Sequence, residues 1–248
     1  MEATVKSNLI FKFRWGLYIC ISLIFLVIKK GASMFLKNYF YVKKMIRKVL
    51  KKPIVNKLVK DILKYDPYTY RHSMNVAYES AYIGKTMSLN NKEMLNLIMA
   101  AMLHDIGKTK IDINILNKPS RLTDEEFEEI KKHPKYGYDI LLKTNAFDND
   151  VLEGVLFHHE NYDGTGYYGI IEKNLPLIAR IVRITDTYDA MTDNRCYKCK
   201  IKKAEAISEM GNLTTIDQDI FNFFTEESFK SKGRHKHKIK HKKKNKKK

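Results

Sequence analysis

Cysteine is scarce: Cys20, Cys196 and Cys199 are the only three in 248 residues. No disulfide framework can be built from them, which fits a reducing compartment. Cys196-Tyr197-Lys198-Cys199 has C-x-x-C spacing, but no second pair completes a zinc tetrahedron, so the motif reads as incidental. Runs of alternating β-branched residues bounded by hairpin turns are also missing, which argues against a sheet-based architecture. Acidic residues are almost absent from both ends. Residues 1–60 hold 14 Lys or Arg against one acid, Glu2, and residues 229–248 hold 12 against none. The formal charge of +18 therefore belongs to the ends, because residues 61–228 carry 20 basic and 27 acidic side chains. A surface built to grip a polyanion has the reverse distribution, so nucleic acid is not expected as a specific partner.

A long uncharged run is lacking too. Residues 9–28 are strongly apolar, but the uncharged core, residues 15–28, covers 14 positions. A bilayer-spanning helix needs ~20. Snorkelling of Lys12 and Arg14 to an interface would restore a full span. Lysines dominate the next segment (Lys29, Lys30, Lys37, Lys43, Lys44, Lys48, Lys51, Lys52), and the positive-inside rule then puts the adjoining domain in the cytoplasm. Anionic lipid would add about 1 kcal/mol for each base held near its surface. We therefore expect residues 1–30 to be an anchor in the inner membrane, with a cleaved signal or a buried terminal helix as the alternatives. Residues 31–60 read as a basic helical linker. Residues 229–248, Lys and His with no large apolar set, read as a disordered tail.

Between them, residues 61–228 have a helical pattern throughout. Residues 70–87 and 92–104 carry apolar side chains at three- and four-residue spacing, and the second stretch is apolar on nearly every side, as a central helix would be. Thr123-Asp124-Glu125-Glu126 is a capping box opening another helix. The expected fold class is an all-α bundle.

The same region holds an unusual set of ligand-type residues: His72, His104-Asp105, His133, His158-His159 and Asp186. His72 alone reads as an ordinary polar residue near a helix start. His104-Asp105 does not, because the pair closes a very apolar helix. Two ionisable groups there are costly unless something compensates them. His158-His159 follows Val151, Leu152, Val155 and Leu156, and Asp186 sits in another apolar helical stretch, so the same problem recurs. A cation solves it. Imidazole and carboxylate together suit divalent transition metals, whereas magnesium and calcium prefer all-oxygen sites. Two such ions roughly 3.5–4 Å apart can activate water and stabilise both attacking and leaving oxygens in phosphate ester hydrolysis.

The motifs His104-Asp105-Ile106-Gly107-Lys108, Ile115-Leu116-Asn117-Lys118-Pro119, His133-Pro134-Lys135-Tyr136-Gly137, His158-His159-Glu160-x-x-Asp163-Gly164-x-Gly166-Tyr167 and Asp186-x-Tyr188-Asp189-Ala190-Met191-Thr192-x-x-Arg195 resemble the HD-GYP family, phosphodiesterases of the HD superfamily. The resemblance runs from about residue 66 to 224. It implies an HD-type helical bundle around two divalent transition-metal ions, iron or manganese first among them. It implies hydrolysis of cyclic di-GMP to pGpG and/or GMP. His72, His104, Asp105 and Asp186 would surround one ion, with Asp105 bridging; His133, His158 and His159 would hold the other. Lys108 would face the scissile phosphate, Arg195 and Lys198 would hold substrate phosphates, and Gly166 and Tyr167 would meet a guanine base.

Two departures stand out. Tyr168 occupies the third position of Gly-Tyr-Pro, which frees φ and loosens the loop. Tyr68 stands where some members carry a glutamate assisting a third metal, which favours two ions. Expected partners are a cyclic dinucleotide, an anionic membrane surface and a second copy of the chain in a homodimer. The alternatives are a phosphohydrolase for another nucleotide, or an interaction module that binds cyclic dinucleotide with little turnover.

Overall fold

The computed structural model describes residues 36–193 and 201–230. Helix α1 covers residues 36–50 and is followed by α2 (Pro53–Tyr65), α3 (Pro67–Thr86) and α4 (Asn91–Leu103). A 3-10 turn (Ile106–Lys110) leads into the short α5 (Ile113–Leu116) and then α6 (Asp124–Ile130), α7 (His133–Leu142) and α8 (Asn149–Leu156). After a long loop come α9 (Leu177–Thr192), α10 (Lys203–Met210) and α11 (Gln218–Lys230). No strand occurs among the described residues. The all-α expectation holds.

Local chemistry sets the helix starts. Asp66 accepts from the backbone N–H groups of Tyr68 and Thr69, and Pro67 fills the first helical position, where no amide hydrogen is needed. Asn90 with Glu93 and Thr123 with Glu126 form reciprocal capping boxes, the second as its spacing predicted. The core gathers around α4, which buries Met94, Leu97, Ile98, Met99, Ala100, Ala101, Met102 and Leu103. It packs between α3 and α8, and α9 lies against all three. Truncating one of these large side chains to alanine costs about 2–5 kcal/mol by the usual core rule. A buried Ser80–Thr185 hydroxyl pair at 2.8 Å ties α3 to α9.

The compact unit begins at Val42. This differs from the expected linker over residues 31–60. Val42, Met45, Ile46 and Val49 on α1 and Val55, Leu58, Val59 and Ile62 on α2 are buried, while Lys44, Arg47, Lys48, Lys51, Lys52, Lys57 and Lys60 are exposed. The lysine count hid an apolar stripe at helical spacing, and burying that stripe makes these helices part of the bundle. No helix among the described residues is long and apolar enough to cross a membrane. The apolar segment 9–28 and the tail from residue 231 lie outside the described residues.

Candidate metal centre

Every ligand-type residue singled out in the sequence reaches one buried cluster. His72 comes from α3, His104-Asp105 from the end of α4, His133 from the first position of α7, His158-His159 from just beyond α8, and Asp186 from α9. Ligand atoms of His72, His104 and Asp186 lie within 4.8 Å of one another, as do those of His133, His158 and His159. Asp105 sits between the two triads. Its Oδ2 is 3.3 Å from His104 Nε2 and 3.7 Å from His72 Nε2, and its Oδ1 is 3.2 Å from His133 Nε2.

Helix ends aim three of the imidazoles. The last carbonyls of a helix have no intrahelical partner. His104 Nδ1 meets the Ala101 carbonyl at 2.8 Å, His133 Nδ1 that of Ile130 at 2.7 Å, and His158 Nδ1 that of Val155 at 2.7 Å. A carbonyl can only accept, so each Nδ1 carries the hydrogen and each Nε2 turns a lone pair into the cavity. His72 is aimed differently: its Nδ1 donates to Asp189 Oδ2 at 2.6 Å, and Asn75 Nδ2 donates to Asp189 Oδ1 at 3.0 Å. A carboxylate behind an imidazole is the usual way to orient a metal-ligating histidine. Asp189 was given no role from the sequence, although its place one helical turn after Asp186 was a signal for it.

Charge is distributed accordingly. Burial holds His133 and His158 below the usual imidazole range and His159 down at about 3, so these rings are neutral with lone pairs to offer. Burial also opposes charge on His72, but Asp186, 3.0 Å from its Nε2, and Asp189 outweigh it and raise its pKa to about 9. Burial opposes charge on Asp105 and Asp186 too; Lys108 for the first and His72 for the second still hold them well below the usual carboxylate range.

The donors fit a metal. His133 Nε2 and His158 Nε2 face each other across 3.2 Å, although both rings carry their hydrogen on Nδ1. Asp105 Oδ1 and His104 Nε2 are buried with no hydrogen-bond partner among the described residues. Lone pairs crowded in this way repel unless a cation lies among them.

Lys108 Nζ donates to Asp105 Oδ2 at 2.6 Å and is partly exposed, placing a fixed positive charge at the edge of the cluster. Tyr167 stacks on His159, ring centres 5.0 Å apart. Gly166 has no room for a side chain: a Cβ there would lie 2.5 Å from Glu160 Cα and 2.6 Å from Asn161 N. Arg195 and Lys198 lie outside the described residues.

A family model described as an HD domain matches residues 57–220. The chain belongs to the HD-domain family. The family resemblance read from the motifs is thereby borne out. A cyclic di-GMP phosphodiesterase of Pseudomonas aeruginosa is 37% identical over 163 residues, covering 65% of this chain and 39% of the relative. One from Thermotoga maritima is 38% identical over 151 residues, covering 60% of this chain and 41% of its own length. This HD-domain chain thus spans about two fifths of those curated relatives. A solved HDG"Y"P protein from Bdellovibrio bacteriovorus shares the fold, with a TM-score of 0.56 at 18% identity over 76% of this chain and 62% of its own.

One group near the HD centre is held at a disadvantage. Glu79 Oε2 is buried without a hydrogen-bond partner among the described residues. Burial, then the nearby Asp189, raise its pKa to about 8, with Lys203 and His72 acting against them. A carboxyl raised from its ordinary ~4.5 takes up a proton on folding between those values, so stability falls as pH climbs from about 4.5 to 8. Glu79→Gln removes this slope. Its melting temperature is expected to exceed that of the parent by a margin that grows up to pH 8, roughly 2–4 °C per kcal/mol relieved. Parallel melting curves for the two proteins from pH 5 to pH 8 would refute this.

Proposed function

We propose that this chain hydrolyses the 3′–5′ phosphodiester bonds of a cyclic dinucleotide, with cyclic di-GMP as the first candidate, to linear pGpG and then GMP. The observation that carries the reading is the pair of ligand triads sharing one carboxylate, Asp105. That layout suits two divalent transition ions held side by side, and mixed nitrogen and oxygen donors accommodate iron or manganese. His72, His104 and Asp186 would hold one, His133, His158 and His159 the other, and Asp105 both. When bound, such ions polarise phosphoryl oxygens and lower the pKa of water to near neutrality.

The protein's own groups do the rest. The imidazoles are oriented in advance by helix-end carbonyls and, for His72, by Asp189, so their Nε2 atoms need little reorientation to meet an ion. The Lys108 ammonium would offset negative charge growing on the phosphoryl oxygens. Hydrolysis adds water across one P–O bond: the hydroxyl goes to phosphorus and the proton to the departing ribose oxygen. The names of the relatives support the substrate class, and one of them is a 3′3′-cGAMP-specific phosphodiesterase of Vibrio cholerae, 35% identical over 158 residues.

A panel of cyclic di-GMP, 3′3′-cGAMP and linear pGpG, offered to purified chain carrying manganese or iron, tests the proposal. Ion-dependent cleavage of a cyclic dinucleotide, lost in His104→Ala, is expected. Turnover that survives complete chelation would defeat it. Tight binding of cyclic dinucleotide without product would favour the interaction-module reading instead.

A further inference from the structure

Four of the five histidines in the cluster are anchored through Nδ1: three to helix-end carbonyls and His72 to Asp189. His159 differs, since among the described residues no group hydrogen-bonds its ring. What holds it is aromatic contact. Tyr167 lies almost parallel to the ring, with centres 5.0 Å apart and planes 28° apart, and His158 and His133 flank it at 4.2 Å and 5.0 Å. Lys131 Nζ sits 5.4 Å from the centre of the Tyr167 ring, giving that ring a second contact.

The loop is in turn fastened by the residue next to His159. Glu160 is buried, and its two oxygens accept the backbone N–H groups of Tyr168 at 2.7 Å and Ile170 at 2.9 Å. Residues 159 and 160 therefore meet residues 167 and 168 in register. Gly166 lets the two arms of the loop approach, since any Cβ there would strike the Glu160 backbone. A proline at position 168 would have no N–H to offer Glu160 Oε1. Tyr168 therefore supplies a bond that the resembled motif lacks, and the loop is pinned by a buried carboxylate where a proline ring would otherwise stiffen it.

We propose that Tyr167 is the positioning residue for His159, and that the Glu160 clasp on Tyr168 and Ile170 sets Tyr167 against the ring. The inference rests on the two-ion reading, with His159 as a ligand of the second ion only. Losing the support of a ligating histidine typically weakens metal affinity about 10–100-fold. The metal-stripped chain is titrated with Mn2+ against a chromophoric chelator, and with Co2+ while following visible absorbance.

The parent protein takes two ions. In Tyr167→Ala the first ion binds as before, which doubles as proof of folding, while the second binds about 10–100-fold more weakly and its cobalt absorbance changes. Tyr167→Phe, which keeps the ring, binds both as the parent does. Tyr168→Pro, which removes the donor to Glu160 together with the ring that meets Phe157, repeats the second-ion defect in milder form. The proposal falls if Tyr167→Ala binds both ions at parental affinity, or if it loses both together, which would mark a structural role. Parental behaviour of Tyr168→Pro would remove the clasp from the inference. A parent that takes fewer than two ions would overturn the two-ion reading itself.

Discussion

Asp105→Asn is expected to abolish the proposed cyclic dinucleotide hydrolysis, lowering the rate by about 10³-fold or more, while leaving the fold intact. The substitution keeps the size of a side chain that is 1% exposed and removes its charge. Among the described residues Asp105 is the one acid within 4 Å of imidazoles from both triads, so on the proposed two-ion reading losing its charge weakens both ions together. Such ions would supply several kcal/mol of transition-state stabilisation, and each ~1.36 kcal/mol is a tenfold change in rate.

Stability should fall as well in metal-stripped protein: against the cost of burial, the Lys108 ammonium holds the Asp105 carboxylate well below its usual range, and an amide gives up that charge. An amide hydrogen donated to the lone pair of His104 or His133 offsets part of the loss. Chromatography of linear product, bound metal by elemental analysis, and melting curves with and without chelator check the three parts. Near-parental turnover, or an unfolded variant, would contradict the account.

Gly107→Ala should be among the most damaging single-atom additions in the chain. A Cβ on Gly107 would lie 1.9 Å from the His133 carbonyl oxygen and 2.5 Å from the Gly137 nitrogen. Both obstacles are backbone, so no rotamer change relieves them. Either the 3-10 turn or α7 has to move, and α7 begins with His133. We expect a loss at or beyond the upper end of the ~1–3 kcal/mol typical of overpacking, together with weakened binding of the second ion. Gly211→Ala is the control, because its nearest obstacles are at 3.5 Å and it has ordinary helical φ. Chemical denaturation of both variants decides it, and equal midpoints would show that the turn and α7 are not locked together.

Much of the centre was legible before any fold was known, and for a physical reason. Ionisable pairs that close apolar helices, such as His104-Asp105 after α4 and His158-His159 after α8, are costly enough to announce a compensating ion. The carbonyls that aim these rings lie three residues upstream, so even the ring orientation is locally encoded. Asp189 and Glu160 were not legible in the same way. Asp189 meets His72 across 117 positions of sequence, and Glu160 looks like any acid in a polar loop until its oxygens are seen on two backbone amides. Tyr168 shows a related limit: proline's rigidity is a property of one residue, whereas the bond from the Tyr168 amide depends on a partner eight positions away.

Taken alone, the amino-acid order determined the helical class, the central place of α4 and the identity of the ligand-type side chains. Each of those comes from spacing along one helix or from the cost of burying charge, which are local matters. Tertiary structure alone decided that α1 and α2 join the bundle from Val42 onward, that Asp105 lies between two triads, and that Tyr167 rests on His159. Those outcomes depend on helices from distant parts of the chain meeting at one depth. Hydrophobic burial brings the helices together, and the direction of each lone pair in that packed space is then settled by the polar groups each ring meets there.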